Sequence, residues 1–278
     1  MNITVLTLFP EMVEPFFTNS IMKRAVEKGL VSYRVLNFRD WAEGRHKSCD
    51  DVPFGGGAGM VLKCGPLDKA LEAIDAHRAR VVYATPSGKR FTQAYAEDLA
   101  KEQDLVFICG HYEGLDQRII DTWVDDEISV GDYVMSSGEV ASLVIIDALY
   151  RLVEGVITDA SLDEESFRGG LLEYPQYTRP ETYCSKTVPE VLLSGHHAHI
   201  VEWHVMQRLE KTARNRPDLL ETADLDVDAR CRLNQLFVHT VEDDGNGRRS
   251  ERSEGRAEGR GAEGSQGFSP ARECHQGH

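Results

Sequence analysis

The chain contains no run of about 18 consecutive apolar residues, so no transmembrane helix is expected. Its opening stretch, MNITVLTLFPEM, has neither a basic n-region nor a small-residue cleavage site, so a secretory signal is not expected. Its six cysteines, Cys49, Cys64, Cys109, Cys184, Cys231 and Cys274, form no C-x-x-C pair and read as reduced thiols of a cytoplasmic protein. The glycine-rich PFGGGAGM (53–60) lacks a Walker ending: Met60 and Val61 follow it where Lys and Ser or Thr would stand, which argues against nucleotide hydrolysis. No G-x-G-x-x-G links a first strand to a helix, and no G-x-S-x-G elbow occurs. His196, His197 and His199 lie close together in GHHAH, but no second cluster completes a tetrahedral set. They read as helix-start or surface histidines rather than as zinc ligands.

Basic charge is scarce, with 31 Lys and Arg against 46 Asp and Glu, a formal net charge of −15. Phosphate contacts need Lys and Arg, so this balance argues at first against a nucleic-acid partner. The shortage is local. Residues 97–165 hold 3 basic and 18 acidic side chains, while residues 1–96 hold 13 and 10. Residues 166–244 hold 9 and 13, and residues 245–278 hold 6 and 5. The acidic stretch reads as a solvated face, and whole-chain charge says little about partners. A locally basic helix, WHVMQRLEKTARNRP (203–217), brings Arg208, Lys211 and Arg214 near one face by i,i+3 spacing. Phosphate contact is one reading of that face and simple solvation is the other.

Apolar strand-like runs alternate with helical patterns along the first part of the chain. Met1–Leu8, Ser32–Phe38, Arg80–Ala84, Leu105–Cys109 and Glu127–Met135 read as strands. Helical spacing is found around Ser20–Lys28, Pro66–Ala76, Thr92–Ala100, Leu115–Thr122 and Glu139–Val153, with a long loop over Arg39–Lys63. Such alternation predicts an α/β fold with a parallel sheet covered on both faces. Three polar, glycine-bearing turns fall where strands end: TPSGKR (85–90), CGHYEG (109–114) and MSSGE (135–139). In open parallel sheets ligands bind at the carboxyl ends of strands, so the three turns predict one shared pocket. Beyond them, TDASLDEES (158–166) reads as a linker. Pro189–Leu193, Ala198–Thr212 and Leu225–His239 read as helices of a smaller second domain. From Gly245 the composition cannot bury a core and reads as disordered.

Five motifs taken together resemble the bacterial tRNA (guanine-N1)-methyltransferase family of the SPOUT class. They are DDVPFGGGAGM (50–60), CGHYEGLDQRI (109–119), SVGDYVMSSGE (129–139), SFRGGLLEYPQYTRP (166–180) and PEVLLSGHHAHI (189–200). The likeness runs in order over roughly residues 1–240. It implies an α/β parallel sheet with a deep trefoil knot, plus a small helical C-terminal domain. The corresponding division is a knotted cofactor-binding domain (1–160), a linker (161–170), a helical tRNA-binding domain (171–242) and a disordered tail (243–278). It also implies S-adenosyl-L-methionine as methyl donor, magnesium, and a homodimer with its active site between subunits. The substrate would be the guanosine 3′ of the tRNA anticodon, methylated at N1.

By the resemblance, Gly110, Val130, Gly131, Asp132, Tyr133, Val134 and Met135 bind the cofactor, joined by Pro86, Gly88, Tyr112 and Gly138. Arg151 matches the arginine that stabilises charge on guanine O6, Glu165 the proposed base, and Glu113 the position associated with the metal. Guanine N1 carries a proton and is weakly nucleophilic, so a carboxylate must remove that proton while a cation steadies the oxygen. Departures from the family pattern are Glu165 in place of Asp, Ser137 in place of Gly and Ala58 in place of Pro. A knotted methyltransferase of another RNA, or a non-catalytic protein that binds the donor or RNA, is the alternative reading.

Overall fold

The β-rich, apolar stretches of the first part of the chain form one sheet in the computed structural model, which describes residues 1–157 and 165–233. Strands β1 (Asn2–Thr7), β2 (Ser32–Asn37), β5 (Arg80–Arg90), β6 (Asp104–Ile108) and β7 (Asp126–Ser129) lie in the order β2-β1-β6-β5-β7. Every pairing is parallel. Two-residue strands β3 (Asp50–Asp51) and β4 (Val61–Leu62) pair antiparallel at the base of the glycine-rich loop.

Because strand side chains alternate between faces, a buried parallel sheet needs apolar residues at every position. Leu105, Phe107 and Cys109 enter one core with Ile3, Val5 and Val82. Val106 and Ile108 enter the opposite core with Leu6, Val81 and Tyr83. The first core is roofed by α1 (Pro10–Phe17), α2 (Ser20–Glu27), α4 (Gln93–Leu99) and α6 (Gly138–Tyr150). The second is roofed by α3 (Cys64–Ala73) and α5 (Gln117–Trp123). Local chemistry starts several of these helices. Pro10 opens α1, where its missing N–H is not needed. Thr92 caps α4 by accepting from the Tyr95 amide, and Asp116 caps α5 by accepting from the Arg118 amide.

Three expectations need correction. Thr85–Arg90 is not a free turn: Lys89 and Arg90 pair with Ile128 and Ser129, so residues 85–88 form a bulge inside β5. Strand β7 ends at Ser129, and the expected strand over 130–135 is instead a loop. The long loop after β2 is also more ordered than expected, holding a 3₁₀ turn (Phe38–Trp41) and the β3–β4 pair.

The chain divides into two compact units, Met1–Ser161 and Leu162–His278. In the second, the long helix His197–Asn215 buries Leu209 against Leu171, Leu225 and Ala229. A short helix spans Glu190–Leu193, and residues 227–233 are helical. Most of the expected linker (158–164), the end of the last expected helix and the whole tail (243–278) lie outside the described residues. Among the described residues no helix is long and apolar enough to cross a membrane.

Candidate active site

The bulge of β5 and the carboxyl ends of β6 and β7 enclose a cavity of about 240 Å3. Its walls come from three segments: Pro86 from the β5 bulge, Gly110, Tyr112 and Glu113 from the turn after β6, and Val130, Gly131 and Tyr133 from the loop after β7. Val134, Met135 and Gly138 close the far side. The turns predicted to share a pocket therefore do so. Of the residues expected at the cofactor, two do not line it. Asp132 is exposed, and Gly88 sits where a Cβ would collide with the Glu127–Ile128 backbone, so it serves the β5–β7 approach.

The glycines have identifiable work. A Cβ on Gly110 would stand 2.8 Å from the Tyr83 ring, which leaves it no room. Burial raises the Tyr83 phenol, keeping that hydroxyl neutral beneath the cavity. Gly138 begins α6 directly against the turn after β6, donating its N–H to the Gly110 carbonyl at 2.8 Å. The loop between β7 and α6 holds itself together: Ser129 Oγ donates to the Gly131 carbonyl at 3.0 Å, and the Tyr133 amide donates to the same carbonyl at 2.9 Å.

The glycine-rich segment 53–60 turns out to be a companion of the 109–114 turn. The Glu113 amide donates to the Met60 carbonyl at 2.9 Å, and the Leu62 amide donates to the Gly114 carbonyl at 3.0 Å. Gly59, at φ +89°, lies under the Glu113 side chain with no room for a Cβ. Glu113 is the only carboxylate among the cavity's described walls. Magnesium commonly keeps most of its water and takes one or two carboxylates, so this position suits such an ion better than a dedicated cage would. Among the described residues no three His, Cys, Asp or Glu side chains converge as a metal cluster.

Sequence reasoning missed His111 and Glu139. Glu139, in the first turn of α6, is fully buried, and His111 lines the cavity with its Nε2 2.8 Å from Glu139 Oε1. The partner residues are 28 positions apart, a separation no local pattern reveals. Cys109, beside them, is pushed far up by burial and then by the Glu139 charge, so its thiol stays protonated and is no nucleophile.

Arg151 is the half-buried C-cap residue of α6 in the first unit. Glu165 is half-buried in the second unit, just before a turn anchored by Phe167 N–H to the Leu171 carbonyl at 2.7 Å. Phe167 adopts φ +76° there, and Leu171 enters the small core. The Leu172 amide donates to Thr212 Oγ1 at 2.9 Å, and Arg208 Nε donates to the Leu172 carbonyl at 3.2 Å. The SFRGGLL motif is thus pinned to the long helix.

That use of Arg208 alters the expected basic face. Arg208 secures backbone, and Arg216 forms a two-point pair with Asp218 at 2.6 and 2.9 Å. Arg214 remains exposed and Lys211 half-buried. His196 and His197 stand at the start of this helix, and Tyr174 stacks on His204 with centroids 3.5 Å apart.

These features define an α/β protein with a cavity at the carboxyl ends of two parallel strands and the bulge of a third, on the side where such sheets hold nucleotide-like molecules. A family model described as tRNA (Guanine-1)-methyltransferase TrmD matches residues 1–222, and the chain belongs to that family. It is similar to a Treponema denticola protein named tRNA (guanine-N(1)-)-methyltransferase, 61% identical over 223 residues, covering 80% of this chain and 92% of the relative. Relatives of the same name from Treponema pallidum (58% over 223 residues, 80% of this chain and 89% of the relative) and Borrelia duttonii (58% over 221 residues, 79% and 92%) are also similar.

Proposed function

We propose that the chain methylates N1 of a guanosine in tRNA, the one 3′ of the anticodon, and that the cavity between the three turns binds the methyl donor. The carrying observation is that a member of this family gathers Pro86, Gly110, Tyr112, Val130, Gly131, Tyr133, Val134, Met135 and Gly138 around one cavity. The fit is chemical as well as positional. Ile128, Ala141 and Met135 give apolar walls for a base, and the glycine turns let backbone come close to it. S-adenosyl-L-methionine supplies an activated methyl group there.

Glu165 removes the N1 proton of guanine, making the nitrogen a nucleophile. Arg151 steadies the negative charge that then collects on O6. Glu113 would hold magnesium at the cavity's edge. The acting form is a homodimer, with the site completed between subunits, and the sheet carries a trefoil knot. The second unit, with its exposed Arg214, contacts the tRNA.

The deciding assay offers tRNA transcripts bearing G or A at the target position, with labelled S-adenosyl-L-methionine. Methyl incorporation into the G transcript alone is expected. Equal incorporation into both, or none into the G transcript, would sink the proposal.

A further inference from the structure

The carboxylate of Glu139 is out of place by ordinary rules. It has no exposed surface, yet it occupies a position where α6 packs on β1 and the turn after β6. Burying a carboxylate is unfavourable unless charge and hydrogen bonds compensate. The compensation is specific. Thr7 Oγ1, itself fixed by the Phe9 amide at 2.9 Å, donates to Glu139 Oε1. His111 Nε2 lies 2.8 Å from both carboxylate oxygens, aligned only on Oε1, so buried Oε2 makes no hydrogen bond of its own. The position of Glu139 in the first turn of α6 adds a favourable interaction with the helix dipole.

Nothing in the packing of sheet on helix calls for a charge at this point. What the carboxylate does is lock a cavity wall. His111 stands between Gly110 and Tyr112, with Phe9 packed on its ring at a centroid distance of 4.9 Å. Glu139 therefore engages Nε2, and Nδ1 is the ring's second polar atom. Among the described residues none takes up Nδ1 in a hydrogen bond, and His111 is one of the residues lining the cavity.

We infer that Glu139 is a positioning residue of the methyl-donor pocket, fixing the His111 ring so that its Nδ1 hydrogen-bonds a polar group of the bound donor. It does so while tying together the end of β1, the turn after β6 and the start of α6. This rests on the reading of the cavity as the donor site.

The test is calorimetric titration of S-adenosylhomocysteine into the full chain. Wild-type protein is expected to bind; failure to bind would overturn the donor-site reading itself. Given wild-type binding, H111A and E139Q are each expected to weaken it about tenfold, as for loss of one hydrogen bond in a charged network. The double variant is expected to be no weaker than H111A, because Glu139 acts through the ring. In tRNA methylation the loss appears in KM for the donor and not in KM for tRNA. Unchanged affinity in H111A, or an E139Q penalty equally large in the H111A background, overturns the inference. Nitrogen-edited NMR of wild-type protein gives a reading independent of any variant. His111 protonated at Nε2 is expected, and a ring carrying its hydrogen at Nδ1 alone overturns the assignment.

Discussion

The Gly138 amide donates to the Gly110 carbonyl at 2.8 Å, and a Cβ added to Gly138 would collide with the Gly110 nitrogen. Two turns of the cavity, the one after β6 and the one leading into α6, are thus in backbone contact. Gly138→Ala forces them apart. Overpacking of this kind costs about 1–3 kcal/mol, and the separation falls on the cavity walls. We expect a lowered melting temperature together with weakened donor binding; a variant that binds S-adenosylhomocysteine like wild type would show that the contact is not needed.

Gly59 tests the link between the glycine-rich loop and Glu113. Its φ of +89° disfavours any L side chain, and the Glu113 side chain fills the space a Cβ would need. Gly59→Ala should cost about 1–2 kcal/mol through the backbone conformation alone, read as a shift of the urea midpoint. Gly44, at φ +79° with open space around it, is the control in which only the backbone contribution remains.

Glu165 is the proposed base. Glu165→Gln keeps size and hydrogen bonding but cannot take the N1 proton. Turnover on tRNA is expected to fall by about 10²–10⁴-fold, with donor affinity retained. Single-turnover kinetics separates the two, and an undiminished methyl-transfer rate would remove Glu165 from the mechanism.

The charged cluster at the amino end of the sheet gives a pH prediction. Arg80 Nε donates to Asp126 at 2.6 Å, and Tyr95 donates its hydroxyl to the same carboxylate. Burial works to raise the Asp126 carboxyl, but Arg80 and Tyr95 prevail and hold it below the usual range. Burial, and then the Asp126 hydrogen bond, push the Tyr95 phenol up to about 12. Asp126 therefore adds stability above its unfolded value of about 3.9, and this is lost as the pH falls further into acid. Tyr95 adds stability below about pH 10, and this is lost as the pH rises toward its folded value. Asp126→Asn should cost about 1–3 kcal/mol near neutrality. Thermal melts should show the gap from wild type closing below pH 4. For Tyr95→Phe the gap should close on the alkaline side.

Much of this was legible before the structure. Apolar runs such as Leu105–Ile108 sit in a sheet buried on both faces, so composition alone marks them. The segments after β6 and β7 meet because parallel strands point the same way, and the bulge of the neighbouring β5 joins them. The misreadings have a common cause, which is pairing at long range. Thr85–Arg90 looks like a turn because its glycine and proline are turn residues, but β7 supplies partners for Lys89 and Arg90. Arg208 looks like a solvated cation until the Leu172 carbonyl, 36 residues earlier, is found against it. Glu139 looks like an ordinary first-turn acid. Its partners are Thr7, 132 residues away, and His111, so its burial could not be read from its neighbours in sequence.

Strand β1 lies between β2 and β6, and its inner partner begins at Asp104, 102 residues after Asn2. Strand β1, made well before β6, therefore waits for it before its inner edge is closed. During that interval the apolar segment Ile3–Leu6 presents an open edge to any neighbouring chain. Closing so large a loop is slow in folding. The arrangement that places the cavity among the later strands β5, β6 and β7 thus makes nascent chains of this protein targets for chaperone holding during synthesis, until residue 108 has emerged.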